Sequence, residues 1–205
     1  MLPLRVTVLI SGGGTTLRNL LEHIRDRALP AEIVAVVSSN PNSVGLKLAA
    51  AQQIPAHCIT TADADSVEEF SDRIFAVPRA VKTELVVCAG FLKRLRIPPD
   101  FVNRVVNIHP SLIPLFCGEG MYGGRVHEAV LAAGAKMSGC TVHFVDDHYD
   151  HGPIIAQRAA PVFAGDTPSS LAARVFAQEC ELYPQVIRWI AEGRVRVTEG
   201  IATVK

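Results

Sequence analysis

The sequence predicts an α/β fold: a Rossmann-like, mostly parallel sheet flanked by helices on both faces, with an antiparallel C-terminal part. Three observations carry this reading. Short apolar, β-branched runs recur at 5–10, 32–37, 56–59 and 85–89, separated by segments of helical periodicity, and such β-α-β alternation requires parallel strands. A glycine turn, Ser11-Gly12-Gly13-Gly14-Thr15-Thr16, joins the first strand to the first helix, which is how nucleotide-type α/β units begin. Near the C-terminus the order changes to two successive strands, 140–145 and 153–162, whose short connection fits an antiparallel pair.

Taken in order, Arg5 to Ile10 is an apolar strand, and Leu17, Leu20, Leu21 and Ile24 then mark one face of a helix. Glu32 to Val37 is a second strand, ended by the turn Ser38-Ser39-Asn40-Pro41-Asn42. A helix is expected over Val44 to Gln52 and a short strand over Ala56 to Ile59. Asp65-Ser66 offers a cap for a helix running to about Phe75. Leu85 to Ala89 is a buried strand stopped by Gly90, and Val105 to His109 is another, stopped by Pro110. Leu115 to Gly124 carries four glycines between 118 and 124 and reads as a mobile flap or a long surface loop. A helix over Val126 to Ala133 precedes the two late strands. Asp166-Thr167-Pro168 starts a last helix that turns Leu171, Val175, Leu182, Val186 and Ile190 inward, with Pro184 expected to kink or split it. Gly193 ends that helix, and Arg194 to Val197 is expected as a final edge strand.

Composition bounds the function. The chain has 205 residues, 49% of them hydrophobic, which fits a single domain with a sizeable core. Twenty basic and twenty acidic residues cancel, so there is no basic footprint for nucleic acid. No apolar run reaches the ~18 residues needed to cross a bilayer. Met1-Leu2-Pro3-Leu4-Arg5 leads directly into a strand, so no signal peptide is expected. The five cysteines, an odd number, form no C-x-x-C pair, and free thiols in a reducing cytoplasm are the simplest reading.

Three stretches carry chemistry. The glycine loop brings backbone N–H groups to a helix N-terminus, with hydroxyls from Thr15 and Thr16, and a phosphate is its natural guest. Leu17 stands where a dinucleotide fingerprint has Gly or Ala, and no Walker lysine is present, so the loop favours a monophosphate; a tight turn without a ligand is the alternative. Asn107 and His109 lie two apart on a strand and so share a face, where an amide and an imidazole can hold an oxyanion and handle a proton. The run Asp146-Asp147-His148-Tyr149-Asp150-His151-Gly152-Pro153, with His143, is dense in metal-ligand types but has no defined motif spacing, and no metal is expected. A loop presenting one carboxylate that orients His109 and raises its pKa is more economical.

Five segments, in order, resemble one family: Ile10-Ser11-Gly12-Gly13-Gly14-Thr15-Thr16-Leu17, Ala89-Gly90-Phe91-Leu92-Lys93, Asn107 to Pro114, Gly139 to Val145, and Asp150-His151-Gly152-Pro153. Together they are similar to the phosphoribosylglycinamide formyltransferases, folate-dependent enzymes of purine synthesis, over nearly the whole chain. The resemblance implies formyl transfer from 10-formyltetrahydrofolate to the amine of glycinamide ribonucleotide by Asn107, His109 (as imidazolium) and Asp150. It implies that Gly12, Gly13, Gly14, Thr15 and Thr16 hold the substrate phosphate and that Glu179 holds the ribose hydroxyls. It implies a folate pocket of Phe91, Leu92, Lys93, Arg94, Leu95, Val142 and Asp147. The chain is then one formyltransferase domain, 1–205, with a phosphate-binding half (1–104) and a catalytic and folate-binding half (105–205), acting as a cytoplasmic monomer or homodimer on small molecules.

The sequence departs from the family pattern at several points. Thr15-Thr16 replace a common Ser-Asn, Lys93 an Arg, and Phe176 a polar residue found in some relatives near the phosphate. An Arg found in some members near Val67 is absent, and His151 replaces a small residue. These changes bear on affinity and polyglutamate preference rather than on the reaction. The rivals are a formyltetrahydrofolate hydrolase using the same three residues on water, a methionyl-tRNA formyltransferase, a non-catalytic phosphate or folate module, and a phosphosugar metalloenzyme.

Overall fold

The computed structural model describes residues 2–205; Met1, the first residue of the expected leaderless start, lies outside them. The chain forms two compact units divided after Val106.

In the first unit, strands β1 (Leu4–Ile10), β2 (Ala31–Ser38), β3 (Ala56–Cys58) and β4 (Leu85–Cys88) alternate with helices α1 (Thr15–Arg25), α2 (Val44–Ala51) and α3 (Val67–Ala80). The strand order is β3-β2-β1-β4, and every pairing within it is parallel. β1 and β4 are buried on both faces, as a sheet covered by helices requires. α1 buries Leu17 and Leu20, two of the four residues on its predicted stripe. α3 begins where expected: the Ser66 hydroxyl accepts the Glu69 N–H at 3.1 Å. It continues past Phe75 to Ala80, through Pro78. The ring removes a backbone bond near the helix end, but Ile74, Phe75 and Pro78 are all buried, and packing outweighs the propensity of one residue.

The strand β5 (Val105–His109) spans the division between the units. The second unit holds its last three residues, then α4 (Gly124–Ala132), β6 (Met137–Phe144), β7 (Ile154–Pro161), α5 (Pro168–Ala191) and the strands β8 (Val195–Thr198) and β9 (Ile201–Val204). The order here is β5-β6-β7, and β6 and β7 pair antiparallel as expected, with Cys140 opposite Arg158. β6 starts three residues earlier than its apolar pattern implies, because the ladder with β7 extends from Met137.

Two sequence expectations are corrected. Pro184 does not split α5, which runs unbroken for 24 residues; Leu182, Tyr183, Pro184, Val186 and Ile187 are all buried and hold that turn in place. The segment after Gly193 is not an edge of the main sheet. β8 pairs antiparallel with β9 in a separate two-stranded ribbon. The start of α5 is the predicted one: Thr167 and Ser170 exchange side-chain and backbone bonds, with Pro168 at the first helical position.

Candidate active site

In the first unit the glycine loop is anchored by the Ser11 N–H, which donates to the Gly90 carbonyl at 3.1 Å, and by its carbonyls. The Ser43 hydroxyl donates to the Gly12 carbonyl at 2.7 Å, and the Asn40 amide donates to the Ser11 carbonyl at 3.1 Å. Ser11 and Ser39 share a hydroxyl bond at 2.7 Å, and the Leu92 N–H donates to the Ser11 hydroxyl at 3.0 Å. Gly14 is the N-cap of α1 with φ +71°, and no side chain caps the helix. A Cβ at Gly14 would stand 2.8 Å from the Gly45 Cα, so both the backbone angle and the approach of α2 require glycine there. Gly12, Gly13 and Thr15 are exposed and Thr16 half-buried. The first N–H groups of α1 therefore end uncapped beside two threonine hydroxyls, an arrangement suited to an anion.

Phe91 to Leu95 follow β4 in the same unit. Phe91 stacks on Phe70 with ring planes 8° apart, Leu92, Lys93 and Arg94 are exposed, and Leu95 is buried.

In the second unit β5 presents Asn107 and His109, and the loop after β6 brings Asp150 to both of them. His109 Nδ1 lies 3.4 Å from Asp150 Oδ2. The Asn107 amide nitrogen donates to Asp150 Oδ1 at 3.5 Å and to His143 Nε2 at 3.2 Å. On its far side His109 Nε2–H donates to the Phe116 carbonyl at 2.9 Å, while the Gly118 N–H donates to Asp150 Oδ2 at 2.9 Å. His109 and Asp150 are 4% and 10% exposed, so any charge on either acts at low effective dielectric. Asp150 has φ +54°, a conformation that aspartate tolerates better than most residues.

Burial drives the Asp150 carboxyl upward, but the neighbouring His143 and His109 rings and the Gly118 N–H together outweigh it and leave its pKa below the ordinary value. Burial lowers the pKa of His109, against the pull of Asp150 and of the Phe116 carbonyl. Asp150 pulls the pKa up as expected, but burial outweighs it, so the net shift runs against the imidazolium expected from the sequence. The Phe116 carbonyl can only accept, so Nε2 keeps its hydrogen in either protonation state. A neutral His109 then turns the Nδ1 lone pair toward Asp150, and the gap between them has room for one proton.

Three contributors were missed from sequence. His143 was grouped with the metal-type residues of the later loop, yet it is buried and bonded to Asn107, with its Nδ1–H donating to the Phe144 carbonyl at 2.8 Å. An imidazole within the buried run of β6 was the available signal. Phe116 and Gly118 act through backbone atoms and left no side-chain signal.

Among the remaining predicted residues, Val142 is wholly buried, so its side chain belongs to the core. Asp147 is half-buried on the loop. Glu179 lies on α5, and burial alone pushes its carboxyl up to about 7. Its unfolded value is near 4.5, so an unfolded chain releases this proton first as pH rises. Stability from this group is complete below pH 4.5, declines through the window to about 7 and is lost above it. Thermal unfolding of Glu179→Gln should match wild type near pH 4.5 and exceed it at pH 8, whatever the change does to substrate affinity.

Residues 4–187 match the family model described as formyl transferase. The phosphoribosylglycinamide formyltransferase of Escherichia coli strain K12 is 35% identical over 203 residues, 97% of this chain and 92% of that protein. A crystal structure of glycinamide ribonucleotide transformylase 1 from Symbiobacterium toebii superposes with a TM-score of 0.91 at 36% identity, covering 98% of this chain and 94% of the other. A formyltetrahydrofolate deformylase from Burkholderia mallei superposes with a TM-score of 0.85 at 28% identity, covering 99% of this chain and 70% of that one.

Proposed function

Because this chain belongs to the formyl transferase family, we propose that it transfers the formyl group of 10-formyltetrahydrofolate to the amine of N1-(5-phospho-D-ribosyl)glycinamide. The products are formylglycinamide ribonucleotide and tetrahydrofolate, in de novo purine synthesis. One observation carries the mechanism: a buried carboxylate set between an imidazole and a carboxamide, 3.4 Å from the one and 3.5 Å from the other.

Nucleophilic attack by the primary amine forms a C–N bond at the formyl carbon and puts negative charge on its oxygen. The Asn107 amide donates to that oxygen, a donor that acts strongly where water is excluded, and His109 offsets its charge once the amine's proton has made the ring an imidazolium. The proton lost by the amine enters the space between His109 Nδ1 and Asp150 Oδ2. From there it reaches the folate nitrogen as the old C–N bond breaks. Positioning of this relay depends on the Phe116 carbonyl and the Gly118 N–H.

Gly12, Gly13, Gly14, Thr15 and Thr16 take the substrate phosphate, a role supported by the uncapped start of α1. Glu179 takes the ribose hydroxyls. Phe91 to Leu95, Asp147 and the backbone at Val142 take the folate. No helix is long and apolar enough to cross a membrane among the described residues. The five cysteines are without disulfides, which supports a reducing compartment such as the cytoplasm.

The test follows folate absorbance during incubation with 10-formyltetrahydrofolate, with and without the ribonucleotide. Deformylation that requires the ribonucleotide supports the transferase. Equal turnover without it overturns this reading in favour of the hydrolase, and no turnover by folded protein leaves a binding module.

A further inference from the structure

The loop that carries Asp150 holds a second set of donors outside the triad. Asp146, His148 and His151 each offer a ligand atom, and the three atoms lie within 4.8 Å of one another. His151 Nδ1 is 2.7 Å from Asp146 Oδ2, and His148 Nδ1 is 4.0 Å from Asp146 Oδ1. The two imidazoles meet edge to face with centroids 5.4 Å apart. The carboxylate is pinned by the His148 N–H, which donates to Asp146 Oδ1 at 2.9 Å. No motif spacing advertises this set; the turn after β6 assembles it.

We propose that Asp146, His148 and His151 form a site for a divalent transition-metal ion of the zinc type. This goes beyond the formyl-transfer reading and does not depend on it. Two imidazoles and one carboxylate are a borderline-soft donor set, which disfavours magnesium and calcium and suits zinc with water in the fourth position. Zinc bonds of about 2.0–2.1 Å place tetrahedral donors roughly 3.4 Å apart. The side chains of His148 and His151 are 72% and 73% exposed, so they are free to rotate inward and the ion enters from solvent.

The site bears on the loop itself. His148 and His151 bracket Asp150 in sequence, so an ion joining them ties the chain on both sides of that residue and slows its opening. An exposed ion at this position is a structural clamp and takes no part in proton transfer.

The full chain is titrated with zinc alone in a non-coordinating buffer, with a chromophoric indicator as competitor. Backbone hydrogen exchange across 146–152 is followed in parallel. Wild type should take up one equivalent, with slower exchange in that loop. His148→Ala and His151→Ala should each weaken uptake about tenfold or more, since loss of a ligand costs at least what loss of its supporting partner does. Cys58→Ser and Cys117→Ser should bind as wild type does. Uptake that survives both histidine changes, or that disappears with either cysteine, overturns the site. Zinc bound through the histidines without slower exchange overturns the clamp.

Discussion

Asp150→Asn should lose about 10²- to 10⁴-fold in kcat, the range set by removing a positioned acid–base group, while KM for both substrates changes little. Asparagine is close in shape and tolerates the left-handed backbone at this position. Its side-chain oxygen can still accept the Gly118 N–H that Asp150 accepts at 2.9 Å. Stability should therefore move by no more than about 1 kcal/mol. What is lost is the negative charge beside His109 Nδ1. Without it nothing balances the proton taken from the amine, and the imidazolium formed during attack is isolated at a position where burial already disfavours it. Steady-state kinetics with the ribonucleotide, beside thermal unfolding of the same samples, checks this. A variant that keeps more than a tenth of wild-type kcat would remove Asp150 from the relay.

The pattern of legible and illegible features has physical causes. The alternation of strands and helices was readable because apolar runs such as those of β1 and β4, and the Leu17 stripe of α1, are buried. The glycine loop was readable because only glycine satisfies the angle and the approach at Gly14. Asn107 and His109 were readable from their two-residue spacing, since a strand puts both on one face. From the residues alone, the loop at 146–153 offered a carboxylate without saying which; the resemblance pointed to Asp150. Helix ends were less legible at Pro78 and Pro184, because burial of whole helix faces decided them and a local rule about proline did not. His143, Phe116 and Gly118 entered the site through tertiary contact, two of them by backbone atoms that carry no identity in a sequence. The pKa of His109 is shifted down where the sequence pointed up, because the burial that outweighs the carboxylate was not visible in the sequence.

Gly152→Ala tests how that burial is transmitted to the reacting groups. A Cβ at Gly152 would stand 2.0 Å from the Phe144 carbonyl oxygen, 2.9 Å from its carbon and 3.4 Å from the Asp146 nitrogen. All three are backbone atoms, so no flexible side chain can give way. Overpacking of this kind costs about 1–3 kcal/mol, which for a chain of this size lowers Tm by roughly 2–4 °C per kcal/mol. The larger effect should be on rate. The Phe144 carbonyl accepts the His143 Nδ1–H at 2.8 Å, and His143 Nε2 in turn accepts the Asn107 amide at 3.2 Å. Pushing that carbonyl aside releases His143, and with it the orientation of the amide proposed to hold the oxyanion. The same methyl displaces the turn that delivers Asp150. A misplacement of about 1 Å costs on the order of 10²-fold, so Gly152→Ala should lose both Tm and kcat, where Asp150→Asn loses kcat alone. The paired measurement separates the two routes: a folded Gly152→Ala protein with wild-type kcat would mean that the chain from Phe144 through His143 to Asn107 does not govern the oxyanion donor.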